Sequence, residues 1–83
     1  MYIKGYKIKV STRQNKKYDV YKDDKYITSF GDKRYQHYHD KIGHFRHLDH
    51  NNNKRRQLYR IRHKGDNIND PNYAGYWSWN YLW

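Results

Sequence analysis

Residues 17–30 have the sequence KYDVYKDDKYITSF, and the first half of the fold follows from it. Tyr18 and Val20 alternate with neighbours that point the other way, a period of two that is typical of a β-strand. Asp23 and Asp24 come next, and paired aspartates favour a tight turn. The residues after the turn alternate in the same way, so the sequence predicts a β-hairpin.

The residues before this hairpin supply a further strand. Between residues 2 and 10, Ile8 and Val10 share one face with two tyrosines, and the lysines between them share the other. A polar turn at 11–16 joins this strand to the hairpin. Residues 1–30 are therefore expected to form a three-stranded antiparallel meander. Its strands are 2–10, 17–22 and 25–30, and in the last of them Tyr26, Thr28 and Phe30 share one face.

The rest of the chain favours helices. Gly31 is expected to end the sheet, and Asp32 can cap a short helix that extends to about Lys41. After a polar connection, a second helix is predicted over 53–64, which an asparagine just before it or at its start can cap. Gly65 ends this second helix.

The C-terminal aromatic segment fits two patterns. Trp77, Trp79 and Trp83 alternate like strand residues, but Trp79 and Trp83 also share a helical stripe with Tyr76. Pro71 follows an aspartate, which is a typical start of a helix. We therefore favour a short helix for this segment.

Composition indicates one small domain over 1–83, with the sheet in 1–30 and the helical, basic and aromatic part in 31–83. The chain has a net charge of +10, no cysteine and 19% aromatic residues. Without cysteine it has no disulfide, thiolate zinc site or thiol nucleophile. Aliphatic residues are scarce, so tyrosine and tryptophan rings must supply most of the core. The predicted fold class is α+β, with a three-stranded antiparallel sheet followed by a short helix, a basic helix and an aromatic C-terminal segment.

The predicted helix over 53–64 concentrates positive charge. Leu58, Tyr59 and Ile61 would form a narrow apolar stripe that the fold buries, and the rest of its surface would be basic with no acid. A helix of this kind repels itself, and nucleic acid, an acidic protein surface or an anionic membrane would relieve the repulsion. The candidate residues for polyanion or partner contact are Lys54, Arg55, Arg56, Arg60, Arg62 and Lys64.

The aromatic residues have two possible uses. Rings interleaved with lysine and arginine can stack on the exposed bases of single-stranded nucleic acid. With so few aliphatic residues, however, the core needs these rings, and we expect at least two of the three tryptophans to anchor it. The candidate aromatic anchors are Tyr76, Trp77, Trp79 and Trp83.

Neither a metal site nor a catalytic site is predicted. His44, His47 and His50 are spaced by three, but Gly43 and the asparagines that follow argue against a helix that would aim all three at one ion. We expect these histidines to be exposed or hydrogen-bonded. The glycines are scattered, and the sequence has no P-loop or serine elbow. We therefore expect a non-enzymatic protein with no cofactor, no small-molecule substrate and no membrane span.

Several short motifs occur in an order that resembles a known family. The segments that carry the resemblance are Phe30-Gly31-Asp32-Lys33-Arg34-Tyr35, His50, Lys54-Arg55-Arg56, Tyr59, Arg62-His63-Lys64, Asp70-Pro71, Ala74-Gly75, Tyr76-Trp77-Ser78 and Leu82-Trp83. Over residues 17–83 the chain resembles a short, basic, uncharacterised protein family encoded by large nucleocytoplasmic DNA viruses and some phages. It departs from the family pattern at 51–53, where three asparagines stand and an acidic residue is common.

The resemblance implies a viral origin and a non-enzymatic role. We expect a virion protein made in the host cytoplasm or nucleus. The first expectation is a capsid-associated role, as a minor capsid or cement component that binds larger capsid proteins or other acidic proteins. The eleven tyrosines suit such interfaces. The alternative is a nucleic-acid-binding packaging or regulatory protein that contacts phosphates through residues 54–64.

Overall fold

The structure is a computed structural model that describes residues 1–83. It confirms the predicted α+β class, since an antiparallel sheet is followed by two helices. The sheet has four strands in the order β1-β2-β3-β4, each antiparallel to the next. The strands are β1 (Tyr2–Ile3), β2 (Tyr6–Val10), β3 (Lys16–Lys22) and β4 (Lys25–Asp32); the helices are α1 (Asn53–His63) and α2 (Ala74–Tyr81).

The predicted hairpin is confirmed as β3 and β4. Asp23 and Asp24 join the two strands, and both have positive φ angles, 50° and 65°. Two successive residues with positive φ form a two-residue hairpin turn whose twist matches that of the flanking strands. Aspartate tolerates this conformation better than most side chains. Lys22 and Lys25 pair directly beside the turn.

The predicted number of strands, three, is wrong, because the strand expected over 2–10 is two strands. Lys4 and Gly5 have positive φ angles of 51° and 85° and turn the chain back on itself. Tyr2 consequently pairs with Lys7. Since glycine adopts a positive φ at little cost, the single glycine inside an alternating run marks a turn here.

A β-bulge overturns the face assignment in β4. Thr28 pairs with Val20, but the next pair is Tyr26 with Tyr21, so Ile27 is the extra residue. The extra residue shifts Tyr26 to the opposite face from Phe30, although the sequence predicts one shared face. Tyr26 is therefore 44% exposed on the solvent side of the sheet.

Gly31 does not end the sheet as expected, and β4 continues through it. Its φ angle is 76°, and a Cβ built there would lie 2.7 Å from Cδ of Lys17 and 3.0 Å from Cδ1 of Leu82. No other residue fits both this backbone conformation and this space without movement of its neighbours. Glycine thus lets β4 pass close to Lys17.

The short helix expected over 32–41 is absent, and this prediction is wrong. The chain turns at 33–34 and then follows an irregular path, in which His37 forms an isolated bridge with Asp49. The Asp40 N–H donates to Oδ1 of Asp49 at 2.8 Å, and the Asp40 carboxylate accepts the N–H of Ile42 at 2.8 Å. Aspartate side chains of this kind take the backbone N–H groups that a helix would have used.

The core lies between the sheet and α2. Trp77 is fully buried, stacks on Phe30 with ring centroids 6.0 Å apart, and meets Tyr6 edge-on at 5.4 Å. The helical interpretation of the C-terminal segment, which we favoured over a strand, is therefore correct for α2. The buried apolar residues of the core are Ile8, Tyr18, Val20, Phe30, Trp77 and Leu82.

The predicted basic helix is confirmed as α1, but its apolar stripe is not buried. The Asn52 side chain caps the helix by accepting the N–H of Arg55 at 3.1 Å. Leu58 and Ile61 are 51% and 63% exposed, and α1 contains no buried residue. The expectation that this stripe is buried is wrong for Leu58 and Ile61, whereas Tyr59 is half-buried against Trp83.

Candidate functional site

A groove of about 570 Å³ separates α1 from the ends of β3 and β4 that lie away from their turn. Residues of α2 and the segment 35–36 form the other walls. Pockets that hold small ligands usually measure about 300–1,000 Å³, so the groove is large enough for a ligand of that size. The groove is the largest concave feature of the protein and is the candidate functional site.

The groove is basic. Asp32 is the one acid that lines it, and the Arg34 guanidinium holds that carboxylate with two bonds of 2.7 and 3.1 Å. These hydrogen bonds lower the pKa of Asp32 to about 2, so its charge is present and offset by Arg34 at neutral pH. The basic residues that line the groove are Lys16, Lys17, Arg55, Arg62 and His63.

Four aromatic residues also line the groove, and one of them, Phe30, is buried in the core. Tyr35 is 64% exposed, so one ring is available to a ligand. Tyr59 and Trp83 are half-buried and lie parallel, with centroids 4.3 Å apart and an angle of 3° between their planes. This pair packs α1 against the C-terminal segment.

The four arginines of α1 form two pairs with different contacts, and the sequence does not distinguish the pairs. Nε of Arg56 donates to the Trp83 carbonyl at 2.6 Å, and Nη2 of Arg60 donates to the same oxygen at 3.1 Å. These two arginines hold α1 in place. Arg55 and Arg62 line the groove, although Nη1 of Arg55 also donates to Gln36 at 2.9 Å.

Lys54 and Lys64, the other two predicted contact residues, are exposed and line no groove. Conversely, Lys16, Tyr35 and Gln36 belong to the groove but are not among the predicted contacts. They lie far from α1 in the sequence. Lys16 reaches the groove as the first residue of β3, and the path of segment 33–37, which the sequence does not predict, brings Tyr35 and Gln36 to it.

The four predicted aromatic anchors have different environments. Trp77 lies in the core, and Tyr76 packs edge-on against it at 5.0 Å. Trp83 is half-buried against the core, so two of the three tryptophans anchor it, as predicted. Trp79 is half-buried beneath Arg60, whose guanidinium carbon lies 4.6 Å from its ring centroid.

A buried hydrogen-bond chain lies behind the groove wall. Lys17 is 2% exposed, and its Nζ donates to the Tyr35 carbonyl at 3.0 Å and bonds to Nδ1 of His37 at 2.8 Å. Nε2 of His37 bonds to Asp49 at 2.5 Å. Burial lowers the pKa of Lys17 to about 8, despite the nearby carboxylates. Burial and the Lys17 charge also lower the pKa of His37, so the imidazole is neutral at neutral pH.

Two aspartates of this network, the buried Asp40 and the partly buried Asp49, remain ionised. Burial would raise the pKa of Asp40, but the Tyr18 hydroxyl and three backbone N–H groups donate to its carboxylate and hold the pKa below its usual value. Burial acts on Asp49 in the same direction, and the Asp40 N–H and the ring of His37 outweigh it. The carboxylates therefore fix the path of the segment that carries Tyr35.

The three regularly spaced histidines do not converge. His44 and His47 are exposed, and Nδ1 of His50 accepts the N–H of Asn52 at 2.9 Å. The His50 ring lies 5.2 Å from that of Trp83, and its Nε2 is buried without a partner. No group of three histidine or acidic side chains is arranged to hold a metal ion.

Neither helix is long and apolar enough to cross a membrane. Comparison with known proteins finds no matching family model, no similar curated protein and no similar solved structure. The resemblance to a viral family therefore stays a prediction from the sequence motifs. The geometry of the candidate site is that of a basic groove with one exposed ring, Tyr35, and two exposed arginines, Arg55 and Arg62.

Proposed function

We propose that this is a non-enzymatic binding protein whose groove holds a short stretch of single-stranded nucleic acid. The observation that supports this proposal is the combination of cations and an exposed ring along one concave surface. Arg55, Arg62 and Lys16 would contact phosphates, and Tyr35 would stack on a base. Proteins that bind single strands combine a positive groove with aromatic residues in the same way.

Charge balance further supports an anionic ligand. Three exposed cations, Lys16, Arg55 and Arg62, line the groove together with one acid, and that acid is already paired with Arg34. Nucleic-acid phosphates would displace counterions from these cations, which is the main source of affinity in non-specific binding. A single strand fits better than a duplex, because Tyr35 can stack only on a base that is free of a paired helix.

The virion setting remains part of the proposal and is based on the family resemblance. A nucleic-acid-binding packaging protein agrees with the net charge of +10. The capsid-associated role is the second candidate. Its support is a different surface, the exposed aliphatic residues Leu58 and Ile61 on the outer side of α1.

The direct test is fluorescence anisotropy with a labelled oligothymidylate over a range of salt concentrations. We expect the logarithm of the binding constant to fall linearly with the logarithm of salt concentration. The double variant Arg55→Gln/Arg62→Gln should weaken binding and reduce the slope by about 1.4, because each phosphate contact on a single strand contributes about 0.7. Tyr35→Ala should lose about 1–3 kcal/mol of binding free energy without a change in slope.

A charge-matched control separates the groove from net charge. Lys25→Gln/Lys41→Gln removes the same charge from exposed positions outside the groove and should leave binding nearly unchanged. Equal losses in the two double variants would show that only overall charge matters and would refute the groove as the site.

A further inference from the structure

The outer side of α1 exposes aliphatic residues that the core could have used. Leu58 is 51% exposed and Ile61 is 63% exposed, in a chain where aliphatic residues are scarce. The two lie three positions apart and therefore on the same side of the helix. Single exposed apolar residues are ordinary, but a pair on an otherwise basic helix, in a small domain short of core material, calls for an explanation.

Leu58 lies in a shallow depression of about 280 Å³ on this side. The other residues that line the depression are Arg55, Arg62 and Trp83. Along α1, Arg55, Leu58 and Arg62 are separated by three and four positions, so they form one row along the helix. An apolar side chain that enters the depression would contact Leu58 and the Trp83 ring, with a guanidinium on either side.

The charge around the depression identifies the chemistry of its occupant. No acid lines it, and the five lysines and arginines of α1 have no acidic neighbour within the helix. A second copy of this chain would bring a further net charge of +10 to the same surface, so self-association is disfavoured. Nucleic acid would satisfy the arginines but would leave the aliphatic residues without a partner. An acidic protein with apolar residues satisfies both.

We infer that the outer face of α1, formed by Arg55, Leu58, Ile61 and Arg62, docks an acidic amphipathic helix of another protein. Residues in a row along α1 fit the i, i+3, i+4 and i+7 spacing of a second helix laid beside it. The partner's apolar residues contact Leu58 and Ile61, and its carboxylates pair with Arg55 and Arg62. Bidentate arginine–carboxylate pairs provide orientation in addition to attraction.

The test is isothermal titration calorimetry with two synthetic peptides of identical composition. One has leucines at helical spacing among glutamates, and the other has the same residues in scrambled order. We expect the amphipathic peptide to bind roughly tenfold or more tightly than the scrambled one, because only ordered leucines can bury Leu58 and Ile61 together. The double variant Leu58→Ser/Ile61→Ser should remove that difference.

Two controls make the result decisive. Leu58→Ser/Ile61→Ser should keep its melting temperature and its oligothymidylate affinity, so loss of peptide binding would not reflect unfolding or damage to the groove. Equal affinity for the two peptides in the unsubstituted protein would refute the inference. It would also be refuted if vesicles containing anionic lipid, but not the amphipathic peptide, bind in a manner that depends on Leu58 and Ile61.

Discussion

Helix α2 has eight residues and no charged side chain, whereas α1 has eleven residues, of which five are lysine or arginine. Trp77 of α2 is completely buried and packs on the sheet. No residue of α1 is buried, and the helix is held by the Tyr59 ring and by arginine bonds to the Trp83 carbonyl. One helix is part of the core, and the other is attached to its edge.

The comparison shows how this protein separates stability from binding. Apolar burial contributes most of the stability of a small domain, and α2 supplies it. Directional contacts from Arg56 and Arg60 fix α1 without covering its surface, so Arg55 and Arg62 remain available. Substitutions in α2 should therefore affect folding, and substitutions on α1 should affect binding.

The largest effect is expected from Trp77→Ala, which tests whether α2 supplies the core. Truncation of a buried tryptophan costs about 3–5 kcal/mol. A domain this small has little stability to lose, so the variant should be largely unfolded. Urea denaturation followed by circular dichroism measures the change. Trp79→Ala is the matched control, since Trp79 is only half-buried, and equal losses in the two variants would contradict the assignment of Trp77 to the core.

A smaller loss is expected from Asp40→Ala, which removes a buried carboxylate beside the end of α2. The His39 N–H donates to the Leu82 carbonyl at 3.0 Å, so the segment around Asp40 holds this end. The Tyr18 hydroxyl, 2.5 Å from Asp40, would lose its acceptor, at a cost of about 1–3 kcal/mol. The control is Asp66→Ala beside α1, where the carboxylate is exposed and the loss should be below about 0.5 kcal/mol. A larger loss of stability from Asp66→Ala than from Asp40→Ala would contradict the view that the surroundings of α2 are more important for stability than those of α1.

Acidification should weaken the buried network and leave the arginine contacts of α1 unaffected. The pKa of His37 is lower in the folded chain than the usual 6.5, so the unfolded chain binds more protons between these two values. The free energy of unfolding should therefore fall as the pH drops below about 6.5. Urea denaturation at a series of pH values measures the slope. His37→Gln should reduce it, whereas a slope that this substitution leaves unchanged would exclude His37 as its source.

The smallest effect is expected from Tyr59→Ala, which loosens α1. The Tyr59–Trp83 stack should contribute about 0.5–1.5 kcal/mol beyond its buried area. Hydrogen exchange of the amides in 53–63 should become faster, while the amides of α2 keep their protection. Leu58→Ala is the control, because Leu58 is 51% exposed and is not part of the hydrophobic core. Loss of protection throughout α2 would show that the two helices unfold together.

Elements that depend on neighbouring residues could be predicted from the sequence. The aspartate pair indicates the β3–β4 turn, because both residues tolerate positive φ angles. The basic run between asparagine and glycine indicates α1, and Asn52 caps it as an asparagine should. The aromatic composition indicates a core of rings, which Trp77 and Tyr18 confirm.

Features that depend on distant residues could not be predicted. The irregular path over 32–41 exists because Asp40 and Asp49 accept backbone N–H groups there, whereas the sequence alone places Asp32 at the start of a helix. The bulge at Ile27 changes the face of Tyr26 through strand pairing. A single extra residue in a strand moves the side chains beyond it to the opposite face of the sheet, and the local sequence pattern does not reveal it.

The groove and the exposed aliphatic side of α1 also depend on distant residues and could not be predicted. Hydrophobic periodicity places Leu58 and Ile61 on one side of a helix, but it does not say whether that side meets the core. The choice is made by Arg56, Arg60 and Tyr59, which bind the C-terminal segment and turn the aliphatic pair towards solvent. Charge, caps and turns are properties of short stretches of chain, whereas burial is a property of the assembled fold, because it depends on which surfaces the other elements have already covered.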